Sequence, residues 1–91
     1  MKATWSERSL QQLEEAYLYI ARTDRKAAYA FLDTAEALAE LLAAYPGIGL
    51  STDETDIIVF PLARYRYLIF YKIISKREIR IIRLRHAAQK R

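Results

Sequence analysis

The feature that most constrains the fold is a change of period at Tyr45-Pro46-Gly47-Ile48-Gly49. Before it, apolar residues recur with the period of a helix; after it, β-branched and aromatic residues gather in strand-length runs. Leu10, Leu13, Tyr17 and Ile20 stand at i, i+3, i+7 and i+10, which predicts one face of a helix over residues 7–22. Ser6 precedes it as an N-cap, and Glu7 in the first turn complements the helix dipole. Thr23-Asp24 breaks the pattern and caps a second helix over 25–44. Phe31, Ala35, Leu38, Leu42 and Tyr45 form its apolar stripe, widened by Leu32 and Ala39, with Asp33, Glu36 and Glu40 on the other side. So short a connection makes the two helices an antiparallel hairpin. Pro46 cannot continue the second helix, and glycine suits its exit.

Beyond the loop Ser51 to Thr55, strands are predicted over 56–60, 66–74 and 78–85, with turns at 61–64 and 75–77. Lys2 to Trp5 reads as a short first strand. The order β-α-α-β-β-β predicts an α+β fold: an antiparallel helical hairpin on one face of a small, mainly antiparallel sheet, one domain over 1–91. Ninety-one residues suffice for one domain and not two, and its core is thin. An apolar share of 53% and seven tyrosines offset that thinness. Trp5, Phe31 and Tyr45 are expected in the core.

The chain has no Cys, which removes disulfides, thiol nucleophiles and thiolate metal sites together and suits a reducing cytoplasm. Met1 to Ser6 has no apolar run of signal-peptide length, and the most apolar stretch, 27–45, is cut by three acids, so no membrane association is expected. No metal-ligand spacing and no cofactor motif is present; neither a metal nor a cofactor is expected.

Charge is divided unevenly. Residues 1–59 carry five basic side chains against ten acidic ones, a net of −5; residues 60–91 carry ten basic side chains against Glu78 alone, a net of +9. Such a division steers anionic partners to one side. The basic set is Arg64, Arg66, Lys72, Lys76, Arg77, Arg80, Arg83, Arg85, Lys90 and Arg91. Strict alternation in the last strand would place Ile79, Ile81, Arg83 and Arg85 on one face and Arg80, Ile82, Leu84 and His86 on the other. In the preceding strand Tyr67, Ile69, Tyr71 and Ile73 alternate with Arg66, Leu68, Phe70 and Lys72. Arginine interleaved with tyrosine suits phosphate and base recognition, and equally protein interface anchors. The alternative is a solvated face whose charges deter edge aggregation, a description that also fits Arg64, Lys76 and Arg77. His86 is the single His, and its type suits general acid–base work as well as a hydrogen-bonded strand end.

The segments Tyr45-Pro46-Gly47-Ile48-Gly49, Arg66-Tyr67-Leu68-Ile69-Phe70-Tyr71 and Ile81-Ile82-Arg83-Leu84-Arg85-His86-Ala87-Ala88-Gln89, in this order and with Trp5-Ser6 and Tyr19-Ile20-Ala21 before them, resemble the ParE/RelE superfamily of type II toxin–antitoxin toxins. The ending is more similar to the ParE branch, which often closes with two apolar residues, Arg, two apolar residues and His; Arg85 and Lys90 depart from that branch. The resemblance implies a cytoplasmic toxin, of the plasmid-stabilisation kind, that inhibits DNA gyrase without catalysis. It would be held in a hetero-oligomer by a cognate antitoxin, with Arg64, Arg66, Tyr71, Arg83, Arg85 and His86 meeting the target or that antitoxin. The RelE-like alternative is a ribosome-dependent mRNA endoribonuclease, with His86 as base and Arg64, Arg66 or Arg83 stabilising developing charge. A non-toxic antitoxin-binding relic is the third reading.

Overall fold

The computed structural model describes residues 1–88. Gln89, Lys90 and Arg91, the last part of the basic set and of the closing motif, lie outside the described residues. Ser6 accepts a hydrogen bond from the Ser9 amide (3.1 Å) and starts α1, Glu7–Ala21; Asp24 accepts from the Ala27 amide (3.0 Å) and starts α2, Arg25–Ala44. The strands are β1 Lys2–Trp5, β2 Leu50–Ser51, β3 Ile58–Leu62, β4 Tyr67–Ser75 and β5 Glu78–His86. They form one sheet in the order β1-β5-β4-β3-β2, with β1 parallel to β5 and the other pairs antiparallel. The expected β-α-α-β-β-β order therefore holds, with the two-residue β2 added where the helix exit meets the stretch expected as loop.

The boundaries of β3 differ from those expected. Asp56 takes a left-handed backbone (φ 64°) in the turn before it, so the strand begins at Ile58. At its other end it runs through Pro61 to Leu62. Pro61 lies beyond the two residues of β3 that β2 covers, an edge position that a residue without an N–H tolerates. The turn falls at Ala63–Tyr65, closed by Arg66 in the left-handed region (φ 60°).

The core lies between the helical hairpin and one face of the sheet. Phe31, Ala35, Ala39 and Leu42 of α2 meet Ile69, Tyr71, Ile79, Ile81 and Leu84. The alanines let helix and sheet approach closely. Phe31 fills the space between the rings of Tyr65 and Tyr67, at 5.2 and 5.3 Å. Full burial of such a side chain contributes roughly 1.5–3 kcal/mol. The Tyr71 hydroxyl donates to the Pro46 carbonyl at 2.7 Å, pinning the exit of α2 to the sheet. One expected core position fails, and so does one residue of the apolar face read on α1. Tyr45 is 62% exposed, because it caps α2 with a non-helical backbone and turns outward. Leu10 is half exposed, because α1 turns Ser9 and Ala16 inward with Leu13 and Ile20 at their flanks.

The largest departure lies in β5. Pairing runs Ile69↔Leu84 and Phe70↔Arg83, then steps to Tyr71↔Ile81, leaving Ile82 as an extra residue. This β-bulge reverses the alternation within one strand. Ile79 and Ile81 before it and Leu84 after it all join the core, while Arg83 and Arg85 pair beside Phe70 and Leu68 on the other face. The strict alternation expected from the sequence is thus corrected: Arg83 and Arg85 do not share a face with Ile79 and Ile81.

Where β1 ends opposite Ile81, α1 takes over the edge of β5 with side chains. The Ser6 amide and Ser9 hydroxyl donate to the Ile81 carbonyl (2.8 and 3.0 Å), the Ser6 hydroxyl to the Ile82 carbonyl (3.3 Å), and the Leu84 amide donates to Gln12 Oε1 (2.7 Å). Buried backbone groups beside the bulge thereby keep partners. Among the described residues no helix is long and apolar enough to cross a membrane.

Candidate functional site on the open face of the sheet

Both helices cover the same side of the sheet, so its other face is left to its own side chains. At its centre Phe70 is nonetheless only 6% exposed. Two guanidinium groups cover it, Arg83 at 4.4 Å and Arg85 at 5.3 Å from the ring centroid. The ring's negative face attracts both cations and holds them side by side, each contact contributing about 0.5–1 kcal/mol.

The neighbouring charges differ in how they are satisfied. Arg80 pairs with Glu78 at 3.0 Å and its Nε donates to the Thr4 hydroxyl at 3.4 Å. The Thr4 hydroxyl in turn donates to Glu78 at 2.7 Å; that bond first, and Arg80 second, hold the Glu78 carboxyl below the usual carboxylate range. Arg80 is thus tied into the β1–β5 seam. Arg83 reaches the opposite way and pairs through one Nη2 with Glu54 of the loop before β3, at 3.1 Å. Its Nε is buried and has no hydrogen-bond partner among the described residues.

The six residues expected at the site are not brought together. Arg83 and Arg85 occupy the open face. His86 falls on the helix side, where it meets the Tyr67 ring edge to face at 5.2 Å and its Nδ1 accepts from the Ala88 amide at 3.1 Å. It stands between two open clefts. One, of about 490 Å³, lies against α1 and is lined by Gln12, Glu15, Tyr19 and Tyr67, with Arg85 beside His86 at its rim; the other, of about 430 Å³, is lined by Pro61, Arg66 and Leu68. Arg66 thus joins His86 at the end of the sheet, from the turn rather than from a strand. Arg64 lies in that same turn, exposed, with its guanidinium 5.8 Å from the Tyr65 ring. Tyr71 is corrected outright: it is fully buried behind the helices and offers no surface to a partner. Burial raises the pKa of its hydroxyl, as it does for Tyr67.

Phe70, Glu54 and the covering of the β5 edge by Ser6, Ser9 and Gln12 escaped the reading of the sequence, which saw Ser6 only as an N-cap. Phe70 looked like one more alternating strand residue and is the platform for both arginines. Glu54 sits in a loop with no periodicity to mark it. Ser6, Ser9 and Gln12 recur every three residues, a polar line on one side of α1 that could have signalled a strand edge needing partners. Among the described residues there is no group of three potential metal-ligating side chains.

The open face therefore offers paired guanidinium groups over an apolar base, which suits binding of an anionic surface. No curated protein sequence matches the chain significantly. Among solved structures the chain is similar to one described as the chromosomal ParDE TA system from P. aeruginosa, with a TM-score of 0.82 at 17% identity over 94% of this chain and 95% of that one; at such identity the likeness concerns the fold. The family described as ParE toxin of type II toxin–antitoxin system, parDE, matches residues 3–91. With nearly its whole length matched, the chain belongs to the ParE toxin family of type II toxin–antitoxin systems.

Proposed function

We propose that this toxin arrests growth by binding DNA gyrase, performs no chemistry of its own, and is neutralised by a cognate antitoxin that covers the helical hairpin and the basic strands. The observation that carries the non-catalytic reading is the separation of His86 from Arg83, which lines neither of the clefts beside the imidazole. The bulge at Ile82 puts the arginines on the open face and the imidazole on the helix side. A general base must reach the proton it removes while a cation faces the charge that develops. Here the imidazole and the Arg83 guanidinium stand on opposite faces of the sheet. Purified protein is expected to inhibit gyrase supercoiling and to accumulate cleaved DNA complexes. Toxicity in cells with no effect on gyrase at excess protein sinks this reading.

The endoribonuclease reading keeps one supporting observation, the cleft that Arg66 shares with His86. It requires new codon-linked cuts in mRNA from expressing cells, lost in His86→Ala and Arg66→Ala. Overexpression without growth arrest would favour the non-toxic relic. Antitoxin binding is common to all three readings: acidic residues near the basic strands speed encounter, and apolar anchors supply most of the affinity.

A further inference from the structure

We infer that Glu54 is an internal placeholder for a carboxylate of the protein partner, and that the partner displaces it from Arg83 when an acidic extended segment docks on the open face of the sheet. This rests on the reading that a protein covers this face.

Three observations point this way. First, the pair is half made. An arginine offers Nε and Nη2 as a parallel fork to one carboxylate. Glu54 takes only Nη2, at 3.1 Å, and leaves Nε buried without a partner. An unmade bond at a buried donor is a standing cost, which a carboxylate using both prongs removes. Second, Glu54 is delivered by a built turn. The Thr52 hydroxyl donates to the Glu54 and Ile57 carbonyls (3.2 and 2.9 Å), and the Glu54 amide donates back to that hydroxyl (3.2 Å). The Glu54 side chain is still half exposed, so it can leave without unfolding anything. Third, the face suits a carboxylate better than a nucleic acid. Phe70, its central aromatic, lies beneath Arg83 and Arg85 and offers no ring to a base.

The test titrates the intact protein with a synthetic peptide alternating glutamate and valine, and separately with an oligouridine of equal charge. The readout is the Arg83 Nε–H resonance in a proton–nitrogen correlation spectrum. The peptide should move that resonance. Glu54→Ala, an exposed loop change, should raise peptide affinity about two- to fivefold, the share an exposed ion pair can withhold. Arg83→Lys keeps the charge and loses the fork, and should lower affinity at least about fivefold. Unchanged or weaker binding by Glu54→Ala overturns the inference, as does unchanged binding by Arg83→Lys. So does an Nε resonance that follows the oligouridine and ignores the peptide. Gyrase is absent from this test, so a failed supercoiling assay and a failed titration are separate results.

Discussion

Gly49 is set by its neighbours rather than by its backbone angles. A Cβ there would meet Ile58, and would stand 2.7 Å from the Tyr71 hydroxyl and 3.0 Å from the Val59 carbonyl. The Tyr71 hydroxyl cannot retreat without giving up Pro46. Gly49→Ala is expected to destabilise the protein by about 1–3 kcal/mol, read as a lower urea midpoint at unchanged slope. Gly47 makes the contrast, since a Cβ there meets nothing within 4 Å; Gly47→Ala should leave stability unchanged or raise it by up to about 1 kcal/mol. Sequence reading identified both glycines as helix-exit residues and could not tell them apart, because what separates them is a tyrosine more than twenty residues away. The same limit applied to Tyr71 itself. Its type suits a binding surface, and only the side of the sheet to which the helices return shows that it is buried.

At the scale of elements, the helices, their caps and the order of elements along the chain apart from β2 were legible in the sequence, because each follows from local period and local capping. The bulge was not. One extra residue in β5 leaves no mark in composition, yet it decides which face every later side chain takes. Deleting Ile82 removes the extra residue and lets Ile81, Arg83, Leu84 and Arg85 alternate core, open face, core, open face without a bulge. The variant is therefore expected to fold, with far-UV circular dichroism and amide dispersion kept and Arg83 and Arg85 still on the open face. Ile82→Ala keeps the bulge and should also remain folded. The β1–β5 seam carries a pH signature. The folded Glu78 carboxyl sits below its usual range, chiefly through the Thr4 hydroxyl. Its stabilisation is therefore complete above the unfolded carboxylate pKa, and is lost as pH falls through the lower folded value, roughly below pH 4. In Thr4→Val the urea midpoint should fall less steeply over that range than in the parent.

For the whole molecule, the division of charge became a division of surface, though not a clean one. The acids Asp33, Glu36 and Glu40 are exposed on α2, while Arg83 and Arg85 face the opposite side of the sheet. Glu54 crosses the divide to reach Arg83, and that crossing was invisible from net charge. Association with an acidic partner should slow steeply between low and physiological salt, because screening shortens the reach of these charges to about 8–10 Å. Stopped-flow rates that stay flat with salt would assign recognition to the apolar surface instead.

The pairing of β1 with β5 also bears on how the protein comes into being. Lys2 lies beside Glu78 and Trp5 beside Ile81, so the first strand made waits for the last. Ile79, Ile81 and Leu84, three of the buried residues beneath the helices, belong to that last strand. A growing chain thus holds two helices and no finished core until β5 has left the ribosome. A chain that stops before Ile79 leaves the helices with no completed sheet to cover and β1 with no partner, and is waste rather than a smaller version of the fold.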